Sequence, residues 1–263
     1  GAVNAWTSAT RERAPDYLAG HTLAPAIYRN LSSLGIPDHQ LHFLREAHTR
    51  TWAMNQLLTR SAQDATQILS ANNFDFVLLK GAALGLRVYG DIGARRLTDI
   101  DVLVRHSCRL GAIQALTKNN YKCVFSNRKL QAVMSHLHSA AFRKDNGGEI
   151  DIHWNLLRTS CWSDADEMCW GRAIKMDWQG TAALALCDTD HLFHTMSHAF
   201  ASEIYGNTAS PIWMVDAALL IERQQIDWQE FERLCAERRL ASSVLIQSQR
   251  LNKVLGYTAM PPS

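Results

Sequence analysis

Residues 74–104 read FDFVLLKGAALGLRVYGDIGARRLTDIDVLV, and the fold turns on how this stretch is read. Phe76 to Leu79 is a short apolar run that stops at Lys80-Gly81 and passes into Ala82-Ala83-Leu84-Gly85-Leu86, the pattern of a strand turning sharply into a helix. The stretch closes on Asp99-Ile100-Asp101-Val102-Leu103-Val104. Successive side chains of a strand point to opposite faces, so Asp99 and Asp101 are expected on one face and Ile100, Val102 and Val104 on the other, toward a core. Two carboxylates about 7 Å apart along one strand face make a hard-oxygen site of the kind that holds Mg²⁺.

A third acid lies further on. His138–Arg143 and Glu149–Trp154 are two strand candidates joined by the turn-rich residues 144–148, a hairpin pattern. Alternation puts Glu149, Asp151 and His153 on one face and Ile150, Ile152 and Trp154 on the other, so Asp151 can meet Asp99 and Asp101 while its strand buries its back. Removing one carboxylate from three like charges is expected to relieve repulsion and to leave the fold stable.

On the N-terminal side, apolar positions from Leu18 to Leu34 predict short helices, and Pro37 to about Ala71 predicts one long helix or two in succession, with Asp38 as N-cap and Asn72-Asn73 as the stop. Between the acidic strands, Ser107 is expected to cap a helix to about Asn119 with Leu110, Ile113 and Leu116 inward, before a strand at Tyr121–Phe125 and a short helix near Leu130–Ser135. Beyond Trp154, helices are expected at about Thr189–Ser202, Pro211–Arg223, Asp227–Arg238 and Ala241–Leu255, the third opening on a capping-box-like Asp227 and Glu230, which makes an all-helical tail.

Composition limits the function classes. The chain has 263 residues, 47% hydrophobic and 20% charged, as in a globular protein with ample core. Lys plus Arg number 27 against 25 Asp plus Glu, a net charge of +2, too near neutral for an extended nucleic-acid-binding surface. No apolar run approaches the roughly 18 residues of a membrane span, and the six cysteines form no C-x-x-C pair, so reduced thiols in a cytoplasm are expected rather than zinc or disulfides.

A strand, a glycine turn into a helix, a D-x-D strand and an acid on a later strand together suit metal-dependent phosphoryl or nucleotidyl transfer. Carboxylate-held Mg²⁺ bridges the phosphates of a nucleoside triphosphate, while backbone N–H groups at the turn, with Lys80 and Arg96, supply positive charge.

Leu79 to Val104 resembles the signature of the DNA polymerase beta-like nucleotidyltransferase superfamily. The closer resemblance is to a branch of bacterial uncharacterised nucleotidyltransferases. It rests on Leu79-Lys80-Gly81-Ala82-Ala83-Leu84, Arg96-Leu97-Thr98-Asp99-Ile100-Asp101-Val102-Leu103-Val104 and Ile150-Asp151-Ile152-His153-Trp154. In the C-terminal half it continues through Asp190–His198, Ile212–Ala218 and Asp227-Trp228. It implies an α/β (α+β) fold: a nucleotidyltransferase-type mixed sheet core at 74–156, an N-terminal helical segment at 1–73 and a C-terminal helical subdomain at 157–263.

The resemblance further assigns Asp99, Asp101 and Asp151 to catalysis and to Mg²⁺, with Mn²⁺ able to replace it, and Lys80, Gly81, Ala82 and Arg96 to the nucleotide, ATP included. The wider superfamily usually carries Gly-Ser or Gly-Gly where this chain has Gly81-Ala82, so no serine hydroxyl is offered to phosphate. The implied reaction moves a nucleoside monophosphate from the triphosphate to an acceptor that a protein, a peptide, a metabolite or an RNA end would each fit. Alternatives are a non-catalytic nucleotide-binding or regulatory module and a toxin-like nucleotidyltransferase. Individual residues have plainer readings: Lys80 as a snorkelling strand end, Arg96 as a partner of Asp91 or Asp99, Glu149 as a replacement third ligand or a solvated acid. His153 can orient Asp151, bind substrate or sit in the core, and His194 with His198 can clamp a transition metal, pack the helix or wall a substrate.

Overall fold

The computed structural model describes residues 21–126, 129–130, 134–145, 147–204, 210–223 and 225–256. The helix read around Leu18 and part of the one read near Leu130–Ser135 lie outside the described residues. In chain order the elements are α1 (Ala24–Ser33), α2 (His42–Ala71), β1 (Phe76–Leu78), α3 (Lys80–Arg87), β2 (Asp101–Val104), α4 (Arg109–Lys118), β3 (Lys122–Cys123), β4 (Ser139–Arg143) and β5 (Glu149–His153). They continue with α5 (Glu167–Arg172), β6 (Ile174–Trp178), β7 (Thr181–Ala185), α6 (Asp188–Ile204), α7 (Ile212–Glu222), α8 (Trp228–Glu237) and α9 (Ala241–Leu255).

The strands form one mixed sheet of seven in the order β3-β4-β5-β2-β1-β7-β6. β2 runs antiparallel to β1 and parallel to β5, and that second pairing sets Asp101 opposite Asp151 and Leu103 opposite His153. Period-two alternation then sorts the sheet into two packed faces. Phe76, Leu78, Val102, Val104, Ile150 and Ile152 pack with Ala62, Ala65 and Leu69 of α2 and Leu116 of α4. Val77, Leu79 and Leu103 pack instead with Leu192, Phe193 and Met196 of α6 and residues of α7 and α8. The acids therefore face the C-terminal helices, on an otherwise apolar surface.

Several expectations are corrected. The segment after Trp154 is not all helical: β6 and β7 form a hairpin whose second strand lies parallel to β1, so the sheet extends past residue 156. Its two-residue loop is Gln179-Gly180, with φ of 53° and 77°, the left-handed pair that matches the twist of a tight hairpin. Asp38 does not cap α2. It opens a 3-10 turn over Asp38–Gln40, accepts a hydrogen bond from Tyr28 Oη at 3.1 Å, and leaves the helix to start after Leu41 without a side-chain cap. Ser107 likewise lies in a 3-10 turn, α4 starts without a side-chain cap, and Leu110 is half exposed while Ala112, Ala115 and Leu116 face inward. Asp227 does cap α8, accepting from Glu230 N at 3.0 Å.

Candidate active site

Asp101 starts β2, buried at 2% exposure, and its neighbour across the parallel pair is Asp151. Between them lies His153, two residues after Asp151 and so on the same face. Its Nε2 sits 2.8 Å from Asp101 Oδ1 and 3.3 Å from Asp151 Oδ2, which requires the proton on that nitrogen. Lys80 Nζ donates to Asp101 Oδ1 from the other side at 2.6 Å. Two acids and two bases thus share one buried patch.

The charges stabilise one another. Burial opposes ionisation of Asp101, but Lys80 and His153 prevail and hold its carboxyl well below the usual carboxylate range. Asp151 is pulled down as well, because the hydrogen bond and charge of His153 outweigh its burial. Burial would discharge His153, yet its bonds to Asp101 and Asp151 raise it to about 9, so the imidazole is a cation at neutral pH. Lys80 is raised by Asp101, with Asp99 and Asp151 behind it, against the opposing effect of burial. The expectation that neutralising one acid relieves repulsion is therefore reversed: Asp101→Asn strands two cations.

Asp99 departs from the strand-face expectation. β2 begins at Asp101, and Asp99 lies in the preceding loop, exposed, accepting a 2.8 Å hydrogen bond from Thr98 Oγ1. The reason lies on α2: Asn55, fully buried, donates to the carbonyls of Ile92 and Arg95 at 2.6 and 2.7 Å and accepts from Leu97 N at 3.0 Å. Asn55 thus fixes the course of the loop as far as Leu97, and the ladder to β5 begins only at Ile100, whose carbonyl accepts from Asp151 N at 2.9 Å. Partial desolvation of its carboxyl, with the Asp101 charge nearby, raises its pKa despite Lys80 and Thr98.

Ligand atoms of Asp101, Asp151 and His153 all lie within 4.8 Å of one another, and among the described residues this is the group that could hold a metal. The spacing is close to two metal–oxygen bonds, about 4 Å. Asp151 Oδ1 is buried with no partner among the described residues, an acceptor left over once the internal bonds are counted. A divalent cation fits the two carboxylates, with His153 orienting them rather than ligating.

Over residues 8–256 the chain matches a family described as uncharacterised nucleotidyltransferase. The chain belongs to that family. It is an enzyme of nucleotidyl transfer, built on the mixed sheet described above. Among solved structures it is similar to an antigenic nucleotidyltransferase-like protein from Paracoccidioides brasiliensis, at 13% identity and TM-score 0.45 over 72% of this chain and 92% of that one. It is also similar to the antibiotic-resistance factor ANT(2'')-Ia, at 12% identity and TM-score 0.47 over 73% and 96%. No curated protein matches it.

The remaining residues of this nucleotidyltransferase divide sharply. A cleft of about 260 Å³ opens beside Lys80, Asp99 and Thr98, walled by His194 and His198 of α6 and by Trp213 of α7. Of Lys80, Gly81, Ala82 and Arg96, Lys80 alone lines it. Lys80 holds φ of 48°, an uncommon backbone state for a side-chain-bearing residue, at the point where strand becomes helix. Ala82 is buried in the core. Gly81 is demanded by packing: a Cβ there would come within 1.9 Å of Arg95 Nη1 and 2.5 Å of Leu97 Cδ2.

Arg96 is exposed and lines a different hollow that shares Thr98 with the cleft, and its neighbour Arg95 takes the buried place. Arg95 grips Asp216 of α7 with Nε and Nη2 at 2.9 and 2.8 Å, and Tyr89 Oη adds a bond at 2.8 Å. Glu149 pairs with Arg143 across the hairpin at 2.9 Å, away from the acid group. Sequence reasoning gives no role to Asn55, Arg95 or Asp216; the signals it offers are a lone Asn among the apolar positions of a helix and, for Asp216, its place in the resembling stretch Ile212–Ala218.

Proposed function

We propose that this enzyme moves a nucleoside monophosphate from a nucleoside triphosphate, ATP among them, to an acceptor nucleophile with release of pyrophosphate. In this reading it depends on Mg²⁺, or Mn²⁺ in its place, with Asp101 and Asp151 as principal ligands and Asp99 as the third. The observation that supports it is the register of β2 on β5, which sets Asp101 against Asp151 and leaves Asp151 Oδ1 bare. Bound there, the cation would offset charge on the triphosphate and help align the displacement.

The chain's own residues do the rest. His153 fixes the orientation of both carboxylates. Lys80, bonded to Asp101, supplies the positive charge nearest the cleft. Asp99, at the mouth with a raised pKa, faces the incoming acceptor. A cleft of about 260 Å³ suits a small acceptor or the reactive end of a peptide or RNA. Six free cysteines agree with a reducing cytoplasm as the place of action.

One observation favours the non-catalytic reading: Lys80 and His153 both occupy Asp101 Oδ1. The two readings separate in an assay of label transfer and pyrophosphate release from each α-labelled triphosphate, run with Mg²⁺, Mn²⁺ or chelator across candidate acceptors. Metal-dependent transfer is the expected result. Metal-dependent thermal stabilisation by ATP with no transfer to any acceptor would leave a binding module.

A further inference from the structure

The cleft has a wall that the transfer chemistry leaves unused. His194 and His198 stand one turn apart on α6, their rings 5.9 Å from centre to centre, and both line the cleft. His194 is 1% exposed, and among the described residues neither of its ring nitrogens has a hydrogen-bond partner. A buried donor and a buried acceptor left bare are costly to the empty protein, which is what a side chain kept for a ligand looks like.

Charge narrows the ligand. Burial, with His198 and Lys80 nearby, keeps His194 neutral, and burial with Lys80 pushes His198 down to about 4. A neutral imidazole offers one N–H and one lone pair, and a hydroxyl offers the same two complements. Phosphates and carboxylates only accept, and ammonium groups only donate. The cations of the cleft are already engaged, Lys80 with Asp101 and Arg95 with Asp216. Hydroxyls of Thr195 and Ser202 and the ring of Trp213 complete a surface with hydrogen-bonding and apolar parts.

Building on the proposed nucleotidyl transfer, we propose that His194 and His198 bind a neutral, hydroxyl-bearing part of a substrate, as a sugar or polyol presents. The hydroxyl can come from the ribose of the triphosphate or from the acceptor. The chemistry is the same and the sources differ in experiment.

The test uses the full chain with Mg²⁺. ATP, 2′,3′-dideoxy-ATP and a polyol set (glucose, myo-inositol, glycerol), with glycine betaine as a charged control lacking hydroxyls, are titrated by saturation-transfer NMR and thermal shift. Wild type is compared with His194→Phe and His194→Leu. Neither substitution should lower the melting temperature of the ligand-free protein, since an apolar side chain replaces bare polar atoms. Binding that depends on a hydroxyl should weaken about tenfold. Loss of the preference for ATP over the dideoxy analogue assigns the ribose; loss of polyol binding assigns the acceptor. If both variants bind every ligand as wild type does, or both melt several degrees lower without ligand, the proposal is wrong. Should ATP fail to bind wild type while polyol binding still depends on His194, the nucleotidyl-transfer reading fails and the hydroxyl site stands.

Discussion

Two sets of acids in this enzyme, Asp188 with Asp216 and Asp101 with Asp151, are finished differently. Asp188, at the start of α6, gives one oxygen to Arg87 Nη2 at 2.9 Å and the other to Arg223 Nε at 2.7 Å. Asp216 is held by Arg95 through both oxygens, with Tyr89 as an additional donor. These acids are saturated by forked, permanently charged guanidinium groups, and they tie α6 to α3 and to the end of α7, and α7 to the loop before β2. Asp101 and Asp151 meet an ammonium and an imidazole instead, and Asp151 keeps a bare oxygen. Saturation marks the structural acids; spare bonding capacity marks those available for chemistry.

Breaking each set should therefore give opposite signatures. Asp101→Asn has the largest expected effect, a fall in nucleotide transfer by about a thousandfold or more, the scale on which a principal electrostatic group acts. The variant should also melt lower, because Lys80 and His153 lose their shared anion. Full transfer by folded Asp101→Asn protein would falsify the proposed mechanism. Asp188→Ala should instead act on stability, costing about 3–5 kcal/mol in chemical denaturation because two arginines are left facing each other. If its loss falls below about 1 kcal/mol, the clamp is not what holds α6 to α3 and α7.

Acid sharpens the same contrast, since guanidinium groups do not titrate there and histidines do. His191 is buried and His138 and His198 are partly buried, and all three are held neutral, at about 3, 3 and 4 for His138, His191 and His198. The unfolded chain binds their protons more readily, so the stability they contribute is present above about pH 6.5 and lost as pH falls toward 4. His153, raised to about 9, has the opposite sign: its contribution is full below about pH 6.5 and lost as pH rises through 9. A melting profile should therefore peak near neutrality and fall more steeply on the acid side, where four histidines, His194 among them, act against one. A flat profile from pH 7 to 5 would mean that the histidines near the cleft are solvated.

The smallest expected effect is Glu149→Gln. Its ion pair with Arg143 is largely exposed, at 44% and 64%, so stability should shift by no more than about 1 kcal/mol and transfer should be unchanged. Loss of transfer in this variant would return Glu149 to the ligand set.

Local pattern alone determined much of this protein. Alternation in Ile150-Asp151-Ile152-His153 and Val102-Leu103-Val104 placed the acid face and its buried back, because side-chain direction in a strand follows from the backbone. Helical periodicity located α6 to α9 within a few residues, and one capping aspartate, Asp227, was legible from its three-residue spacing to Glu230. What local pattern could not decide was which strand ends meet. That Asp101 faces Asp151 depends on a parallel pairing between strands some fifty residues apart. That Asp99 leaves the strand depends on Asn55, forty-two residues from Leu97, which it bonds. The hairpin of β6 and β7 is held in place by β1, a neighbour no short window contains. The exchange of Arg96 for Arg95 at the cleft, and the placing of His194 beside Lys80, follow from how α6 and α7 dock on the sheet. Side-chain direction within an element is set by bonds a few residues long, whereas the company a side chain keeps is set by packing between elements, and the chemistry of this site depends on that company.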